Sequence, residues 1–133
     1  MAKKEKLSII VFSGEPDKAL AAFMLATTGA SMGMDVGMFF TFWGLFLLKK
    51  EKGESKPDEK MLAMMQRMKQ VNMPSLEEFI VMAHDMGVKL YPCSTTCGIM
   101  GMSQEDFRSE VEDMVGAAFF LGEARESKVS LFI

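Results

Sequence analysis

Cysteine and histidine are scarce in this chain: it holds two cysteines and a single histidine. Two cysteines four residues apart, Cys93 and Cys97, cannot staple a fold, which excludes a disulfide scaffold. Zinc asks for about four ligands, and Cys93, Cys97 and His84 offer three at unsuitable spacing. No metal site is therefore expected, and His84 reads as a surface or cap residue. Nothing in the chain matches GxGxxG or a P-loop. No Ser-His-Asp combination or paired-carboxylate arrangement is evident either, so no cofactor is expected. The net charge of −3 is too small to imply a nucleic-acid partner. The apolar run Leu7–Phe12, behind a basic start, is too short for a secretory h-region and lacks a small-residue cleavage site. A reducing, cytoplasmic setting is the expectation.

Apolar residues make up 49% of the chain and charged ones 25%, a globular composition suited to one domain spanning residues 1–133. Fifteen methionines and eleven phenylalanines stand against one tyrosine and one tryptophan. Methionine fills irregular cores and adaptable contacts, so a Met-rich core and subunit contact is the reading. Basic residues prevail before residue 70 and acidic ones after it. That suits electrostatic docking between subunits or with a basic partner, although two ordinary solvated faces look the same. From Ala19 to Leu48 the one charge is Asp35. Such a stretch attracts attention as a membrane span, but Gly29, Gly33, Gly37 and Gly44 interrupt it. A buried helix followed by a strand is expected, with peripheral membrane contact by residues 19–48 left open.

Leu7–Ser13 reads as a first strand, nearly all apolar as a central parallel strand should be. Pro16 suits the first position of a helix running from Lys18 to about Met32, and Gly33 ends it. Asp35–Thr41 is a second strand, followed by a loop or short helix to Leu48. The polar stretch Lys49–Asp58 is expected to be a mobile loop. Glu59–Gln70 is a helix with Met61, Met64, Met65 and Met68 on one face. Ser75 and Glu78 have the spacing of a capping box at the head of the next helix, which Gly87 closes. Val88 opens a third strand. Arg108–Val115 fits either a strand or more helix. Gly116–Glu126 reads as helix and Lys128–Ile133 as a terminal strand. Alternating strands and helices predict an α/β fold around a parallel sheet covered on both faces. Right-handed crossovers then gather the turns after Ser13, Thr41 and Pro92 on one sheet edge.

Cys93 is the residue most suited to chemistry. It closes the strand ending Leu90-Tyr91-Pro92 and opens the small-residue run Ser94-Thr95-Thr96-Cys97-Gly98. Open α/β sheets bind their ligands at the carboxyl ends of strands. A helix starting just after a thiol offers it unpaired N–H groups and a favourable dipole, which lower its pKa. The backbone N–H groups of Ser94–Cys97 and the hydroxyls of Ser94, Thr95 and Thr96 are candidate donors to a sulfur anion. Cys97 is a candidate resolving thiol, although C-x₃-C is not thioredoxin spacing. Four residues apart on a regular helix, two cysteines share a side but sit too far apart for an easy disulfide. Ser13, Asp17 and Trp43 are candidates to line the same cleft.

The runs Ser13-Gly14-Glu15-Pro16-Asp17, Met32-Gly33-Met34-Asp35-Val36 and Phe39-Phe40-Thr41-Phe42-Trp43-Gly44-Leu45 resemble the DsrE/DsrF-like family, in its peroxiredoxin-like or sulfur-relay branch. So do Pro74-Ser75-Leu76-Glu77-Glu78, Cys93 and the closing Leu131-Phe132-Ile133. The resemblance implies a five-stranded, mostly parallel α/β sandwich with Arg108–Met114 as its fourth strand, assembled into homo-oligomers. It also implies a sulfur carrier with a persulfide on Cys93, exchanging sulfur with a donor or acceptor protein or a small persulfide. Cys97 departs from that pattern, so a thiol–disulfide redox protein using Cys93 and Cys97 is the first alternative. A non-catalytic oligomeric binding module is the second.

Overall fold

The computed structural model describes residues 4–51 and 58–133. The expected loop Lys49–Asp58 falls in large part on residues 52–57, which lie outside the described residues. The elements are β1 Lys6–Val11, α1 Pro16–Ser31, β2 Asp35–Phe40, a 3-10 helix Phe42–Leu48, α2 Glu59–Gln70, α3 Leu76–Asp85, β3 Lys89–Pro92, α4 Ser94–Met100, a second 3-10 helix Gln104–Asp106, α5 Ala117–Arg125 and β4 Val129–Phe132. The strands form one parallel sheet in the order β3-β2-β1-β4.

Strand alternation divides the core. Leu7, Ile9 and Val11 of β1, with Val36, Met38 and Phe40 of β2, join Phe23 of α1 and Phe79 and Ile80 of α3 in the main core. α1 and α3 lie side by side over this face. The opposite face carries Ile10, Phe39, Tyr91 and Cys93 under Phe120 of α5, whose ring stacks on Phe39 at 4.9 Å. Burying each large side chain of this kind stabilises the fold by about 1.5–3 kcal/mol. The capping box forms as expected: Ser75 Oγ accepts from the Glu78 N–H at 3.2 Å. Gly33 takes φ +83 just past α1, the left-handed turn that glycine tolerates. The long apolar stretch resolves into a helix, a strand and a 3-10 helix. Among the described residues no helix is long and apolar enough to cross a membrane.

Among the described residues the sheet has four strands and not five. Arg108–Met114 runs beside β3 but forms no regular strand. Its Glu112 N–H reaches the Leu90 carbonyl at 2.9 Å, and Val115 makes one parallel bridge with Cys93. In that register the next ladder bond needs an N–H from residue 92, and Pro92 has none. The Glu112 carbonyl instead accepts from Gln104 Nε2 at 3.0 Å, and Gln104 Oε1 accepts from the Met114 N–H at 3.1 Å. The two residues whose N–H groups reach Leu90 and Pro92, Glu112 and Val115, are three positions apart, whereas Leu90 and Pro92 are two apart, so an extra residue bulges out of the pairing.

Candidate functional site: a thiol at the sheet edge

The turns at the carboxyl ends of β1, β2 and β3 interlock. Gly44 donates its N–H to the Phe12 carbonyl at 2.9 Å, and a Cβ there would fall 2.2 Å from the Val11 carbonyl oxygen. A Cβ on Gly14 would stand 2.5 Å from the Trp43 carbonyl oxygen. Only glycine admits approaches this close. Because Phe40 pairs with Pro92, Thr41 is the next residue across from Cys93.

Cys93 is the N-cap residue of α4. Its N–H donates to the Phe40 carbonyl at 2.9 Å and its carbonyl accepts from the Cys97 N–H at 3.0 Å. The side chain is 5% exposed and packs against the Phe39 and Phe120 cluster. Beside it stand two hydroxyls, Thr41 Oγ1 and Thr96 Oγ1, 3.1 Å apart. Thr96 Oγ1 accepts from the Phe42 N–H at 3.2 Å, which leaves its own proton to donate elsewhere. Phe42 holds φ +50 to make this contact. Such a conformation costs a bulky residue of order 1–3 kcal/mol and persists only where surroundings impose it.

These groups set the charge of the sulfur. Burial pushes the Cys93 thiol up. The Thr96 hydroxyl and N–H, the Thr41 hydroxyl and the Thr95 N–H outweigh that effect and bring its pKa below the ordinary 9.0. Cys97 behaves in the opposite way: burial, with the adjacent Cys93 thiolate next, raises its pKa. Its side chain belongs to the main core cluster, whereas Cys93 belongs to the Phe39 and Phe120 cluster. Both thiols are free.

The expected site residues separate into those that meet the sulfur and those that do not. Thr95 and Thr96 meet it. The Ser94 N–H donates to the Val115 carbonyl at 2.9 Å and is engaged there. Ser13 and Trp43 lie on the interlocked turns: Ser13 Oγ accepts from the Glu15 N–H at 3.1 Å, and the exposed Trp43 ring stacks on Phe46 at 6.2 Å. Asp17 sits exposed on the first turn of α1 and accepts from the Lys18 N–H at 2.9 Å. His84 is exposed at the end of α3, 3.4 Å from Asp85. Among the described residues no group of three or more His, Cys, Asp or Glu is placed to hold a metal ion. Thr41 is the residue that sequence reasoning missed. The signal was present in its position, since it ends β2 as Cys93 ends β3. An exposed aromatic cluster lies beyond the carboxyl ends of the strands: Phe12 lies 5.4 Å from Phe42 and 5.8 Å from Phe132.

The fold is a parallel α/β sandwich with a thiol of lowered pKa beyond a strand end. The chain belongs to the DsrE/DsrF/DrsH-like family, whose model matches residues 3–68 and 55–132. It is 33% identical to the sulfur carrier protein DsrE2 of Allochromatium vinosum over 159 aligned residues, covering 98% of this chain and 99% of that one. It is 31% identical to the uncharacterized protein YrkE of Bacillus subtilis over 156 aligned residues, covering 97% of each. The crystal structure of the ychN protein from E. coli superposes with a TM-score of 0.70 at 12% identity, covering 97% of this chain and 99% of that one. A protein of unknown function from Methanobacterium thermoautotrophicum gives 0.65 at 13% identity, covering 98% and 100%. At such identities these two structures establish the fold alone.

Proposed function

We propose that this protein is a persulfide sulfur carrier acting as a single DsrE-like unit, with Cys93 as the residue that holds the sulfur. The observation that carries this reading is the cradle around Cys93: a nearly buried thiol whose pKa is nevertheless lowered by Thr96, Thr41 and Thr95. The family and the sulfur-carrier relative support the same chemistry. The Cys93 thiolate attacks the outer sulfur of a donor persulfide. The donor's S–S bond breaks, its electron pair leaves on the donor thiolate, and Cys93 keeps the transferred sulfur as a persulfide. No net oxidation occurs, so no cofactor is consumed. The Thr41 and Thr96 hydroxyls, aimed at the inner sulfur, stabilise its charge before attack and after release. The exposed Phe12, Phe42 and Phe132 form an apolar cluster on which a donor or acceptor protein docks.

The separate placement of Cys97 favours the carrier over a dithiol switch. Its thiol is held neutral and packs in the main core, whereas Cys93 belongs to the Phe39 and Phe120 cluster. The test is transfer. Protein carrying a radiolabelled outer sulfur, supplied by a small persulfide, is mixed with an excess of a thiol acceptor. Wild type and Cys97→Ser should both take up the label and hand it on. A Cys97→Ser variant that loads nothing would move the chemistry to the cysteine pair.

A further inference from the structure

One cavity lies away from the thiol. It is a groove of about 530 Å³ between α2 and the start of α3, lined by Met61, Met64, Met65, Met68, Met73 and Leu76. α2 itself is anomalous. It is a 12-residue helix with no fully buried residue: Met64 and Met68 pack partly against the main core, while Leu62 and Met65 stay exposed. Helices of that length are marginal in water unless an apolar face is packed. The family comparison points to what is missing. Residues 55–68 are matched by both stretches of the family model. The alignments to the relatives span 156 and 159 positions against a chain of 133 residues. The relatives thus carry additional residues, and this chain has one segment where the family model has two that it resembles.

We propose that the Met-lined groove is filled by α2 of a second copy of this chain, the two α2 helices packing antiparallel about a two-fold axis near Met64 and Met65. The charges of α2 are arranged for that pairing. Its N-terminal end carries Asp58 and Glu59, with Lys60 beside them, and its last turn carries Arg67 and Lys69. An antiparallel pair sets each acidic end against the partner's basic end, and a two-fold axis makes the contact twice. Leu62 and Met65 of each copy enter the other's groove, where flexible thioethers adapt to the fit. Each protomer then supplies to its partner the second segment that the family model contains.

The pairing is tested by cross-linking. Met65→Cys, in a Cys93→Ser/Cys97→Ser background with its fold checked by circular dichroism, places a thiol beside the two-fold axis. Mild oxidation should convert most of it to a disulfide-linked dimer, while the exposed control Val81→Cys in the same background stays unlinked. Absence of the linked dimer, or equal linking at Val81, overturns the proposal and leaves the groove to another occupant. A second measurement needs no cysteine. Glu59→Lys alone and Arg67→Glu/Lys69→Glu alone should each weaken self-association about tenfold in sedimentation. An equimolar mixture of the two should restore it through heterodimers. Unchanged association in both variants would equally overturn the antiparallel pairing.

Discussion

Replacing Thr96 with valine removes one hydroxyl and keeps the side-chain shape. The substitution acts twice. It deletes the side-chain donor that does most to lower the Cys93 pKa, and it leaves the Phe42 N–H without the acceptor it reaches at 3.2 Å. A hydrogen bond to a charged group contributes about 1.5–3 kcal/mol. At about 1.4 kcal/mol per factor of ten, the thiolate population at neutral pH should fall roughly ten- to a hundredfold. The orphaned N–H costs a further 1–3 kcal/mol or so of folding stability. The assay is the pH profile of Cys93 alkylation in a Cys97→Ser background, read at its midpoint so that access to the buried sulfur cancels. Thr96→Val should move the midpoint upward and Thr96→Ser should restore it. Coincident profiles for Thr96→Val and the parent would refute the claim that this hydroxyl holds the thiolate, whatever the stability change.

Other outcomes follow from the same contacts. Cys93 titrates below its ordinary value in the folded state, so its contribution to stability is fully present above pH 9.0 and is lost as pH falls through the folded pKa. Cys97 has the opposite sign, its contribution being complete below 9.0 and lost at higher pH. Cys93→Ala should therefore flatten the rise of the denaturation midpoint between neutral pH and about 9, and Cys97→Ala should remove the decline above it. Gly44→Ala sets a methyl against the Val11 carbonyl. It should cost about 1–3 kcal/mol in denaturant unfolding and raise the Cys93 alkylation midpoint, because the turn it displaces carries the Phe42 N–H. Arg108 bonds Glu110 at 2.8 Å and also Glu77, tying the edge segment to α3. Burial pushes Glu110 up, but the bond to Arg108 leaves it below the usual 4.5. Arg108→Met should cost about 1–3 kcal/mol at pH 7. The loss should shrink as acid protonates Glu110 in the parent, measured by denaturation at pH 7 and about 3.

Local signals in the chain reported most of the frame. The alternation of Leu7, Ile9 and Val11, the Ser75–Glu78 box, Gly33 and the strand-to-helix turn at Cys93 each act within a few residues, and each is visible without tertiary context. Arg108–Val115 was ambiguous because its outcome depends on residues far away in the chain. Pro92 withholds one ladder donor and the Gln104 amide takes over the groups left behind, and neither is encoded in the segment itself. Thr41 was overlooked for a related reason. Its neighbour in space is 52 positions along the chain, and only the strand register brings the two together. The methionine stripe of α2 was legible as a face, whereas the groove opposite it emerges only once α3 is placed.

The central claim is that Cys93 is the residue that carries sulfur, and intact-mass spectrometry tests it most directly. Wild type, Cys97→Ser and Cys93→Ala are reduced, incubated with a sulfane-sulfur donor and weighed without further reduction. One added sulfur, about 32 Da per persulfide, should appear on wild type and on Cys97→Ser and be absent from Cys93→Ala. A persulfide retained on Cys93→Ala, or a loss of two hydrogens requiring both cysteines in place of the added sulfur, would contradict it.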